Sequence, residues 1–238
     1  MRKPPTSAFT LLEMLTVLAI IVILAGLVLS VGGYVQKKAA LSRSAGEIAM
    51  FGSACESYKS DNGNYPREVP TSGTSVTDAI SPKADFIANV SPGKEKYEAS
   101  SLFLYKELTG DKKGSSTKPD GVPEDGEPRY MKEFDPRILN AKKNPTTKAI
   151  LEVNYLQDPF GFPYAYSTSA AKDEQDYQTK LLRFPNLRSS TFRPTGAALR
   201  GFNPGSFDLW STGGSTPKSS PASPAAMDLE WAKWIKNW

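Results

Sequence analysis

The chain reads as an α+β protein in which a long N-terminal helix packs against a small antiparallel β-sheet. Three observations predict this. An uncharged apolar run from Met14 to Val35 leads directly into residues with helical apolar spacing, and the combined stretch stops at Asp61-Asn62-Gly63-Asn64-Tyr65-Pro66. Short runs of aromatic and β-branched residues, punctuated by Pro and Gly, fill the chain from residue 148 onward. The 238 residues allow one sizeable soluble domain behind an apolar segment.

The helix should cover residues 9–61, roughly 50 residues or about 75–80 Å at 1.5 Å each. Its first half is apolar on every side, as suits a lipid or a helix bundle. Met14 to Val31 is uncharged and close to the shortest segment that spans hydrocarbon, and the run extends to Val35. Beyond Lys37-Lys38 the pattern turns amphipathic. Leu41, Ala45, Ile48, Cys55 and Tyr58, with Phe51 or Gly52 between, recur every three or four residues, while Lys37, Lys38, Arg43, Glu47, Glu56 and Lys59 largely mark the wet side. Gly63 suits a left-handed cap and Pro66 cannot continue the helix. Glycines 26, 32 and 33 each weaken it by up to about 1 kcal/mol relative to Ala, and Gly32-Gly33 is where any kink or local melting on assembly is expected.

Residues 67–128 are polar and rich in Ser, Pro, Gly and Lys, with one helical candidate at 99–108 carrying Leu102, Tyr105 and Leu108. Residues 111–128 are nearly devoid of apolar side chains and are expected to form an exposed, mobile loop. Strands are expected at 148–155, 162–167, 178–184 and 206–211, the last with Phe207 and Leu209 opposite Asp208 and Trp210. In the tail 228–238, Trp231, Trp234, Ile235 and Trp238 fall on one face if the segment is helical, so the tail should dock.

The N-terminus carries the most specific signal. Arg2 and Lys3 precede Ala8, and Phe9-Thr10-Leu11-Leu12-Glu13 opens the apolar run. An unpaired carboxylate in hydrocarbon costs about 2.5 kcal/mol or more, so a chain that keeps Glu13 there should supply it with a partner. A secretory signal or a simple anchor also begins with cations before an apolar core. The first needs a small-residue cut after that core, which Val31-Gly32-Gly33 fits poorly, and neither accounts for Glu13. The five-residue string resembles the processing site of type IV pilins and type II secretion pseudopilins.

The resemblance implies a pilin-like fold and the following roles. Residues 1–8 are a leader removed by a prepilin peptidase between Ala8 and Phe9. Phe9 becomes the N-methylated terminus, and Glu13 pairs with an N-terminal amine during assembly. The family usually has Gly where Ala8 stands. The resemblance also implies division into a filament-core or transmembrane helix at 9–35, its amphipathic continuation at 36–66, a variable insertion at 67–147 and a sheet region with docked tail at 148–238.

Two further strings are similar to the major pseudopilin of type II secretion. Asp158-Pro159-Phe160-Gly161-Phe162-Pro163-Tyr164-Ala165-Tyr166 looks like that family's DPWGxPYxY, with Phe160 in place of its Trp. Phe207-Asp208-Leu209-Trp210-Ser211-Thr212-Gly213-Gly214 looks like FDLYSxGADG, with Asp228-Leu229-Glu230-Trp231 as its closing element. That family holds calcium between the last two, which makes Asp228 with backbone carbonyls a candidate site. Ser215 stands where an acid is expected, however, and Pro217, Pro221 and Pro224 interrupt the loop. The other reading is a loop held by its prolines and by Trp231. Calcium favours six to eight oxygens, and the acidic stretch 120–127 lacks EF-hand spacing.

Composition bears on the other function classes. The net charge of +4 includes Arg2 and Lys3, so the processed chain stands near +2, too mild to suggest a nucleic-acid partner. Lys112-Lys113 and Lys142-Lys143 read as solubilising pairs. There is no His and no Gly-rich phosphate loop, so nothing points to an enzyme. The single cysteine, Cys55, has no partner for an internal disulfide and reads as a small apolar core residue. Cations ahead of the apolar run keep that end cytoplasmic. The expectation is a single-pass bacterial inner-membrane subunit with a periplasmic domain, assembling with copies of itself on a secretion platform. A type IV pilus or tip subunit, serving adhesion or DNA uptake, is the alternative.

Overall fold

The structure is a computed structural model that describes residues 10–70, 72–113, 118–132, 134–183 and 199–238, without the side chains of residues 28–31. It is α+β. The chain divides into two compact units, Met1–Ser42 and Arg43–Trp238, and helix α1 (Leu11–Asn62) contributes to both.

In the first unit α1 is the described element. Its large apolar side chains from Leu11 to Leu27 are exposed, Leu11 at 83% and Leu24 at 56%. It is long and apolar enough to cross a membrane. Helix α1 is continuous through Gly32 and Gly33, and nothing lies within 4 Å of where a Cβ would stand on Gly26, Gly32 or Gly33.

In the second unit the amphipathic end of α1 forms one wall of the core. Ile48, Phe51 and Cys55 are buried as the spacing predicts, with Ala54 beside them, whereas Ala45 is exposed and Glu47, expected on the wet side, is buried where the Tyr164 hydroxyl and Arg43 bind its carboxylate. Burial also raises the Cys55 thiol far above its usual pKa, in keeping with an inert apolar role. The helix ends as expected, with Gly63 at φ +78° and its N–H donating to the Lys59 carbonyl at 2.7 Å. After a single turn of helix, α2 (Val76–Ala79), comes α3 (Gly93–Thr109), which encloses the predicted 99–108 segment and buries Tyr97, Leu104, Tyr105 and Leu108.

Two small antiparallel sheets follow. One pairs β1 (Leu139–Lys143) with β2 (Ile150–Leu156), Leu139 opposite Leu156; β1 has no alternating pattern and escapes sequence reading. The other has the order β3-β4-β5, from β3 (Ala165–Ser167), β4 (Asp208–Ser211) and β5 (Ile235–Lys236). Its pleat separates two apolar clusters. Tyr164, Tyr166, Phe207 and Leu209 join Phe51 and Cys55 on one side, while Ala165 and Trp210 join Phe86, Tyr97 and Trp234 on the other. All four β4 residues are therefore buried.

Three expectations are corrected. The strand expected at 178–184 is helical up to Arg183, the end of α4 (Ser169–Arg183), and residue 184 lies outside the described residues. Strong helix formers at Ala170, Ala171, Lys172 and Glu174 start the helix and carry it through, with Lys172 pairing to Asp176 one turn on at 2.5 Å. The tail docks, but not as one helix. Helix α5 (Pro224–Trp231) stops at Trp231, and β5 then takes the open edge of β4, where Asn237 exchanges bonds with the Leu209 backbone at 2.8 and 3.1 Å. Trp234 thus stacks on Trp210 with ring centroids 5.8 Å apart.

The third correction concerns the loop 111–128, whose described part is pinned rather than free. Asp111 is fully buried and accepts from the Tyr105 hydroxyl at 2.6 Å and the Gly121 N–H at 2.8 Å. Further along, the Pro119 carbonyl takes the Val153 N–H at 2.7 Å.

Core truncation therefore separates sharply from surface truncation. Phe51→Ala should cost about 3–5 kcal/mol, whereas Leu229→Ala, at an exposed position, should stay within about 0.5 kcal/mol. Denaturant unfolding of the full chain in detergent, followed by tryptophan fluorescence, reads both.

Candidate assembly site at the head of the long helix

The first helical turn is built by Thr10 and Glu13. The Glu13 N–H donates to Thr10 Oγ1 at 3.2 Å, and the Thr10 N–H donates back to Glu13 Oε2 at 2.9 Å. The Thr10 hydroxyl adds a bond to the same oxygen at 2.8 Å. This is a capping box: Thr at the helix cap and Glu three residues later satisfy each other's N–H groups. Glu13 also places its negative charge at the positive end of the helix dipole.

Thr10 is the residue that the family-motif reading passes over, although the Thr-x-x-Glu spacing before an apolar run is itself a capping signature. The geometry answers part of the question posed by Glu13, since the carboxylate has a partner within its own chain. That partner is not a charge. Both Thr10 bonds converge on Oε2, whereas Oε1 has no bond and the side chain no ion pair among the described residues. A carboxylate offers about four acceptor sites, so this one keeps room for a cation. Ala8 and Phe9, the expected cleavage and methylation residues, lie outside the described residues.

The two strings that narrow the resemblance meet in the second unit. Asp158 is buried. Its Oδ1 accepts the Phe160 and Phe162 N–H groups, both at 2.9 Å, and its Oδ2 accepts the Ser211 hydroxyl at 2.5 Å. Gly161 supplies the φ of +88° that this turn needs. The next residues reach α1: the Tyr164 hydroxyl donates to Glu47 Oε2 at 2.5 Å and lies 3.0 Å from Ser44 Oγ. Asp208 holds the following bend, accepting the Phe202 and Asn203 N–H groups at 2.8 and 3.1 Å. Burial raises the Asp158 carboxyl, and it raises Asp208 to about 6, outweighing those N–H bonds and the nearby Lys83 charge. These acids hold turns together.

Asp228, the candidate calcium ligand, is exposed on α5. Ser215, at the place of the expected second acid, donates its hydroxyl to Glu230 Oε1. Among the described residues, no three Asp, Glu, Cys or His side chains are grouped to hold a metal ion. No family model, curated protein or solved structure matches this chain.

The buried Asp208 gives a pH dependence with a defined sign. Its folded pKa lies above the ordinary 3.8, so the fold binds the proton more tightly than the unfolded chain. The associated stability is complete below about pH 4 and is lost as pH rises to about 6. Asp208→Asn removes that titration. The stability of the unaltered chain relative to the variant should fall between pH 4 and 7 by no more than about 3 kcal/mol, measured by denaturant unfolding in detergent.

Proposed function

We propose that this protein is a structural subunit of a pilus-like filament, processed at its N-terminus and most similar in role to the major pseudopilin of type II secretion. The observation that carries the reading is the head of α1. One carboxylate, capped on Oε2 and open on Oε1, stands where an exposed uncharged helix begins. A helix of that kind in a single chain calls for a covering, which is lipid before assembly and neighbouring helices afterwards. The free oxygen of Glu13 then accepts the N-terminal amine of Phe9 from an adjacent subunit. A desolvated pair of this kind fixes register between subunits more than it adds net stability.

Tyr164 and Ser211 support the finer assignment, because the two strings resembling the pseudopilin family make contacts that hold the sheet region together. The resemblance places the chain in the bacterial inner membrane with residues 43–238 on the periplasmic side. No catalytic role is proposed for any residue.

Mass spectrometry of the protein from its own cells tests processing directly. The expected N-terminus is Phe9 with one added methyl group; a chain beginning at Met1, or cut beyond Glu13, contradicts the proposal. Glu13→Ala should still be cleaved but should enter filaments poorly, as read by shearing cells and quantifying subunits in the released fibres.

A further inference from the structure

Between β4 and α5 runs a segment of unusual composition, Ser215-Thr216-Pro217-Lys218-Ser219-Ser220-Pro221-Ala222-Ser223-Pro224. Its hydroxyls divide into two kinds. Ser215 donates to Glu230, and Ser223 caps α5 by accepting the Ala226 N–H at 3.3 Å. Thr216, Ser219 and Ser220 are exposed, and residues 216–222 enter no hydrogen bond or ion pair among the described residues.

Both ends of the segment are fixed. Gly214, at φ +77°, lies against the Phe160 ring, so close that a Cβ there would approach Cδ1 to 2.8 Å, and Ser223 is held by its cap. Between them Pro217 and Pro221 fix φ and push the preceding Thr216 and Ser220 toward extended backbone. The segment is thus held open, with its hydroxyls and backbone unused.

We propose that Thr216, Ser219 and Ser220 are acceptors for O-linked sugar. An enzyme that modifies a side chain must draw the acceptor segment out as an extended strand. Elsewhere in a folded domain that breaks hydrogen bonds; here none is lost. Ser/Thr segments rich in Pro are the composition of O-glycosylated stalks. The hydroxyl oxygen attacks the anomeric carbon of a sugar activated as a glycosyl diphosphate. The anomeric C–O bond to phosphate breaks, the diphosphate leaves with the bonding electrons, and the hydroxyl proton passes to the transferase's base. The choice of sugar over phosphate rests on the export proposed above, which sets the segment apart from cytoplasmic phosphoryl donors.

Peptide mass spectrometry of the full chain, purified in detergent from its own cells, tests this. The 216–222 segment should carry extra mass in whole sugar residues, released by alkaline β-elimination. The triple variant Thr216→Ala, Ser219→Ala, Ser220→Ala should lose that mass while keeping its far-UV circular dichroism, since those hydroxyls bond to nothing. A bare segment, a phosphate increment, or sugar confined to other residues overturns the inference. The same spectra report the N-terminus: a Phe9 start with a bare segment rejects glycosylation alone, whereas a Met1 start rejects the processing on which the export reading stands.

Discussion

A carboxylate removed from water must be surrounded by donors, and the pairing of such groups is the constraint on which the 43–238 unit depends. Asp111 and Asp158 lie beside turns and Asp208 opens β4, and each collects backbone N–H groups that no sheet or helix satisfies. Two of them also tie distant parts of the chain: Asp111 joins the end of α3 to residue 121, and Asp158 joins the β2–β3 turn to β4 through Ser211. Glu47 extends the scheme to α1, where the Tyr164 hydroxyl and the Arg43 guanidinium, at 2.5 and 2.6 Å, share its carboxylate. The aromatic clusters supply the apolar burial; the acids decide which turns bring those aromatics together.

Glu13 uses the same chemistry with one difference. Its donors come from the adjoining turn, through Thr10, and they fill one oxygen. In the folded domain each buried acid is satisfied within the chain, so it builds structure. At the head of α1 the acid is exposed and half satisfied, at the start of the helix's exposed apolar stretch. That asymmetry is the physical ground for assigning it an intermolecular role.

Much of this was legible in the sequence, for identifiable reasons. The long helix was, because its apolar run and its later three-and-four spacing are strong periodic signals, and Gly63 marks its end. The aromatic strings around Tyr164 and Trp210 gave two of the strands. What escaped depends on contacts distant in sequence. Asp111 looks like one more charge in a polar loop until Tyr105 and Gly121 are seen around it. The tail's three tryptophans fit a helical face, yet the open edge of β4 claims Ile235 and Lys236 as a strand. Residues 178–183 look strand-like in isolation because the helix reaching them starts nine residues earlier. Thr10 is a different case: its signal was local, and the family motif drew attention to its neighbours instead.

The central claim is that the charge of Glu13, and not its cap, is what assembly needs. Gln at the third helical position still closes a capping box with Thr, so Glu13→Gln keeps the helix start and removes the charge alone. Counting filaments per cell by electron microscopy, with subunit levels matched by immunoblot, is the most direct measurement. The account expects few or no filaments from correctly processed Glu13→Gln protein; filaments at the normal number and length would contradict it.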